Sequence, residues 1–99
     1  AQMALITALP DADLAGMSLL ISPNPVAGES IQADFYSKHA QSVTMELLDS
    51  RGRTYMTISL DQPSQHHQYR FDLAGKPAGL YLIRAKSGGQ QVVRKVLKH

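Results

Sequence analysis

The sequence holds no cysteine and no tryptophan. Without cysteine there is no disulfide framework, no thiolate metal site and no cysteine nucleophile. Aromatic residues are few, four tyrosines and two phenylalanines, which is thin material for the stacking platforms of nucleic-acid or sugar binders. No apolar run approaches the roughly 18 residues that a membrane-spanning helix needs. The longest, Met17 to Ile21, is interrupted by Ser18. No basic segment precedes the apolar stretch Ala1–Pro10, so it does not read as a secretory signal peptide. The opening Ala1-Gln2-Met3 leads us to expect one module excised from a longer protein.

Positive charge is nearly missing from the first half. Residues 1–50 carry Lys38 against six acids, whereas residues 51–99 carry nine bases against two. The formal net charge of +2 conceals this split. Such asymmetry usually means a polarised surface and sometimes an anionic partner. At 99 residues there is room for one domain with one core, but not for a catalytic cleft between lobes.

Residues 1–18 read as a linker, because Pro10-Asp11-Ala12-Asp13 and Gly16 break every apolar pattern. From Leu19 to His99 short apolar or alternating runs are separated by turn signals. Leu19–Ile21 stops at Ser22-Pro23-Asn24-Pro25. Ile31–Tyr36 and Val43–Leu47 alternate as half-buried strands do. Arg53–Leu60, Tyr69–Leu73, Gly79–Ile83 and Val92–Leu97 follow, the last two joined through Ser87-Gly88-Gly89-Gln90 as a hairpin. Seven strands at this spacing, without a helical period, predict an all-β fold. We expect a seven-stranded antiparallel immunoglobulin-like β-sandwich preceded by the short linker, with a small barrel as the alternative. Tyr81, near its strand's start, is expected to share a core face with Ile83 and Ala85 and to bond backbone through its hydroxyl.

The search for chemistry finds little. His66-His67 is the first place for a metal, but neighbours on a strand point to opposite faces and no Cys, Asp or Glu completes a set. A solvated polar loop is the expectation there. His39 and His99 lack partners, and Asp11 and Asp13 read as solvated linker charge. No nucleophile elbow is present, and Gly88-Gly89 lacks the sequel of a phosphate loop. We therefore expect no enzyme activity, no catalytic residues, no cofactor, no metal and no nucleic-acid partner.

The basic terminal hairpin is more informative. If Lys86 pairs with Gln91, then Arg84, Lys86 and Lys95 share one face, while Arg94 and Lys98 lie on the other. Elsewhere the punctuation has physical roles. Pro23 and Pro25 remove two donors and end their strand, and Pro25 holds Asn24 extended. Gly52 and Gly79 suit a positive φ or a close strand.

The order of these signals resembles the C-terminal sorting domain of cargo of the type IX secretion system (the Por system of Bacteroidetes). The resemblance starts at Ile21-Ser22-Pro23-Asn24-Pro25 and continues in Met45–Arg53, with its Gly52-Arg53 turn. It goes on through Phe71-Asp72-Leu73-Ala74 and Pro77–Arg84, where Gly79 and Tyr81 form the Gly-x-Tyr strand, to Lys95-Val96-Leu97-Lys98. Gly75-Lys76 and the His66-His67 segment depart from the pattern.

The resemblance implies a folded export signal in residues 19–99. Its expected partners are the outer-membrane type IX translocon and a sortase, with association to anionic lipopolysaccharide. It implies passage through the periplasm to the outer-membrane surface or the medium. Cleavage is expected in Ala15-Gly16-Met17-Ser18. Arg84, Lys86, Arg94, Lys95 and Lys98 are the docking candidates, on a monomer or a strand-swapped dimer. The competing expectation is a non-catalytic sandwich that binds carbohydrate or mediates adhesion.

Overall fold

The computed structural model describes residues 16–23 and 28–99. Among the described residues five antiparallel strands form one sheet: β1 (Met17–Ser22), β2 (Ser30–Asp49), β3 (Thr54–Asp72), β4 (Gly79–Ser87) and β5 (Gln90–Lys98). The expected count of seven is corrected to five. Ile31–Tyr36 and Val43–Leu47 are two halves of β2, and Arg53–Leu60 and Tyr69–Leu73 fall largely in two halves of β3. The polar stretches between those halves, around Lys38–Ser42 and Asp61–Gln65, looked like loops but stay in extended backbone.

The long β2–β3 hairpin cannot run straight. At roughly 3.3 Å per residue a 20-residue strand would span about 66 Å, whereas the longest dimension of the molecule is 35 Å. The bend falls where the register shifts, between Tyr36 and Val43. Side chains there take up backbone groups that a regular ladder would have paired. Gln65 Nε2 donates to Lys38 O at 2.7 Å, and Ser87 Oγ to Ser42 O at 2.5 Å. Pro63, which has no N–H to give, sits in this interrupted stretch.

The bend makes β2 serve twice. Its first half lies between β1 and the end of β3, and its second half between the start of β3 and β4. Strand β5 pairs with β4 and comes round into contact with β1. The result is a curled sheet shaped like half a barrel, and not the two-sheet sandwich expected. Its concave side carries the core: Leu19, Ile31, Phe35, Met45, Leu47, Phe71, Leu73, Ile83 and Val96 are fully buried. Each fully buried aliphatic or aromatic side chain contributes about 1.5–3 kcal/mol relative to exposure. Tyr69 and Phe71 meet edge to face with centroids 4.9 Å apart, a favoured aromatic geometry.

Candidate docking surface

The β4–β5 hairpin has the register that places Lys86 opposite Gln91, Arg84 opposite Val93 and Leu82 opposite Lys95. Tyr81, Ile83 and Ala85 face inward with Val92 and Val96. Arg84, Lys86 and Lys95 therefore share the outward face. Arg84 Nε donates to Glu46 Oε1 at 2.6 Å, and Lys86 Nζ lies 3.7 Å from the same oxygen. Sequence reading missed Glu46, which is 38 residues from Arg84 and reaches it only because β2 pairs with β4.

The two other candidate cations are turned inward. Arg94 is 6% exposed and donates from Nε to Leu19 O at 3.0 Å. Lys98 Nζ donates to Leu73 O at 2.7 Å and to Lys76 O at 2.6 Å. The five docking candidates thus divide by task, with Arg94 and Lys98 holding the fold and Arg84, Lys86 and Lys95 facing out.

At the β2–β3 turn, Asp49 gathers the turn backbone. Its Oδ1 accepts from the Arg51 and Arg53 amides at 2.9 and 2.8 Å, and its Oδ2 from Arg53 Nε at 3.2 Å. The Arg53 amide bond, more than any other contact, holds this carboxyl below the usual aspartate range. Gly52 completes the turn at φ +89°, where a side chain would be strained. Across an open cleft of about 270 Å³ lies the segment Pro77–Tyr81. Gly79 opens β4 there with φ +146°, and Tyr81 Oη donates back to Pro77 O at 2.5 Å. Burial pushes the Tyr81 hydroxyl pKa upward, and Tyr55 and Asp49 add to the shift. The exposed Tyr55 ring carries Lys76 Nζ at 5.2 Å and Arg53 Cζ at 5.5 Å from its centroid.

His66 and His67 lie in β3, and not in the loop expected. They point to opposite faces. His67 is buried, with Nε2 2.7 Å from Gln41 O, and helps satisfy the bend. His66 points outward, stacks on Tyr36 at 4.4 Å and meets Asp34 Oδ1 at 2.9 Å. Burial raises the Asp34 carboxyl pKa, but hydrogen bonds from His66, Gln32 and Gln68 outweigh it and hold the group below the ordinary value. Among the described residues no three metal-ligating side chains gather.

Of the expected cleavage stretch, Ala15 lies outside the described residues. Gly16 precedes β1, while Met17 and Ser18, expected in the linker, belong to β1 and pair with Ser37 and Tyr36. Pro23 follows directly after that strand. Asn24 and Pro25 lie outside the described residues.

The family model described as the secretion system C-terminal sorting domain matches residues 20–99. The chain belongs to this family. No curated protein matches it. The sorting domain's motif segments are scattered in sequence but gather at one end of the fold. Asp49 pairs with Tyr81, and Gly79 with Lys98. Lys98 in turn holds Leu73 O, and the Leu73 amide donates to Glu29 O at 2.7 Å, just before β2. Several of the segments on which the sequence resemblance rests are therefore joined through Asp49–Tyr81, Gly79–Lys98 and Lys98–Leu73. Among the described residues no helix is long and apolar enough to cross a membrane.

Proposed function

We propose that the domain works as a folded address label. It is bound at the outer membrane by the type IX translocon, so that an attached passenger reaches the cell surface or the medium. The reading rests on membership of the sorting-domain family over residues 20–99. The convergence of the motif segments on one end supports it, because a receptor would meet those scattered residues together only in the folded state. The outward cations Arg84, Lys86 and Lys95 supply the charge for docking. Arg94 and Lys98 act indirectly, by keeping β5 in place.

A sortase would separate passenger from label ahead of the sheet. Met17 and Ser18 are paired in β1, so a cut that needs a free extended backbone falls before Met17. Association with anionic lipopolysaccharide is the corresponding role for the passenger side. The carbohydrate or adhesion reading has less support. The two exposed tyrosines, Tyr36 and Tyr55, lie on different strands, and each has a neighbour against its ring.

The test is to fuse the 99-residue chain to a periplasmic reporter in a bacterium that has this secretion system. Surface delivery that stops when the translocon is deleted is the expected result. Periplasmic retention, together with specific binding on a glycan array, would replace the sorting reading with the binding-module one.

A further inference from the structure

A strand edge is where a sheet can take up further backbone, and most edges here are occupied. Strand β1 pairs with β2 on one side and meets β5 on the other, where Arg94 reaches Leu19 O. On β5 itself, Arg94, Lys95 and Leu97 are all engaged. Strand β3 differs. Among the described residues it pairs only with β2, so its far edge presents the backbone polar groups of alternate residues.

That edge is guarded along one half and open along the other. Past the bend it carries Pro63, His66, Arg70 and Asp72, and its inward residues His67 and Phe71 are buried. Before the bend it reads Thr54-Tyr55-Met56-Thr57-Ile58-Ser59-Leu60, without charge, glycine or proline. Native edges carry such breakers to prevent pairing with another chain. The ladder to β2 is regular from Met56 to Leu60, so no bulge turns this stretch aside. Met56, Ile58 and Leu60 pack against the core yet are only half-buried. A further strand along this edge would complete their cover.

The ends of the segment identify that strand. Arg53 stands before it and Asp61 after it, both exposed. An antiparallel copy of the same segment, related by a two-fold axis at Thr57, sets Arg53 opposite Asp61 twice. The same register sets Met56 opposite Ile58, Tyr55 opposite Ser59 and Thr57 opposite its own copy. Opposite charges, apolar pairs and paired threonines are each favourable across strands. Moving the axis to Met56 or Ile58 takes Arg53 away from Asp61. A strand of another protein would have to reproduce this pattern, whereas a second copy already carries it.

We infer that the edge of β3 from Arg53 to Asp61 pairs antiparallel with the same edge of a second copy of this chain. The product is a symmetric dimer with one continuous sheet. No element changes places between the copies, in contrast to the strand-swapped dimer expected from the sequence. The inference goes beyond the sorting reading and does not depend on it.

The test uses the purified 99-residue chain, whose lack of cysteine lets one introduced thiol report the register. In Thr57→Cys the two thiols face each other across the axis, within the separation a disulfide spans. In Ser59→Cys they lie about 14 Å apart along the strands, too far to join. Sedimentation equilibrium from micromolar to millimolar concentration is expected to show a rise to twice the chain mass. Mild oxidation should link Thr57→Cys into a covalent dimer and leave Ser59→Cys single. Asp61→Arg should raise the dimer Kd about tenfold at an unchanged Tm, because each dimer loses two opposite-charge pairs. A chain that stays single to millimolar concentration would overturn the dimer, and an unchanged Kd in Asp61→Arg would do the same for its register. Doubled mass without the Thr57→Cys link, or with equal linking in Ser59→Cys, would assign the dimer to another contact such as strand exchange and overturn the edge pairing.

Discussion

The guanidinium of Arg94 donates from Nε to the carbonyl oxygen of Leu19 at 3.0 Å, joining the last strand to the first across 75 residues of sequence. The charge sits in a nearly closed space, 6% exposed. Replacing Arg94 by Met keeps an apolar stem but leaves the Leu19 carbonyl without this donor. The expected loss is about 1–3 kcal/mol, read as a fall in Tm of roughly 5–20 °C. Leu20→Thr, one residue along β1 and exposed, should shift Tm far less. Equal melting of Arg94→Met and the parent would show that this bond does not close the sheet.

Tyr81→Phe removes only the hydroxyl that donates to Pro77 O. A loss of about 0.5–1.5 kcal/mol is expected in urea denaturation, with an unchanged m-value. The alkaline side gives a second reading. The folded Tyr81 pKa is raised, so its contribution is complete below the ordinary tyrosine value of about 10 and declines as pH climbs through the folded value. Subtracting the Tyr81→Phe curve from that of the parent should isolate this decline.

Asp34 gives the acidic counterpart. Its folded pKa is depressed, so its stabilisation is complete above the ordinary aspartate value of about 3.9 and disappears as pH falls through the lower folded value. Stability measured from neutral pH to strong acid should fall more steeply for the parent than for Asp34→Asn. Parallel curves would mean that the donors from His66, Gln32 and Gln68 do not favour the charged form.

Lys98→Glu puts a carboxylate against the carbonyls of Leu73 and Lys76. It should lower Tm by several degrees, whereas Lys86→Gln, on the outward face, should leave the unfolding free energy within about 0.5 kcal/mol of the parent. An export defect in Lys98→Glu would then report a damaged fold, and one in Lys86→Gln a damaged surface. Equal Tm values for the two would remove that distinction.

The strands were legible where alternation was clean. Ile31–Tyr36 and Tyr69–Leu73 announce their buried faces, and the Gly88-Gly89 turn sets the terminal register. The continuity of β2 and β3 was not legible, because polar residues in the bend resemble loop residues until one sees that their side chains bond backbone. Among candidate site residues, the inward or outward sense of Arg84, Lys86 and Arg94 follows from register alone. Their partners do not. Glu46, Asp34 and Leu19 lie 32 to 75 residues from the groups they meet, and only the bent hairpin brings them together. His66 shows the same limit, since its acid was Asp34 and not the nearby Asp61.

Because β1 is closed by a side chain from β5, the sheet cannot finish until nearly the whole domain has been synthesised. Until Arg94 is in place, the Leu19 carbonyl lacks this donor and β1 lacks its β5 neighbour. Closure of the curled sheet is thus a late and long-range event, resting on a bond between strands that lie 75 residues apart.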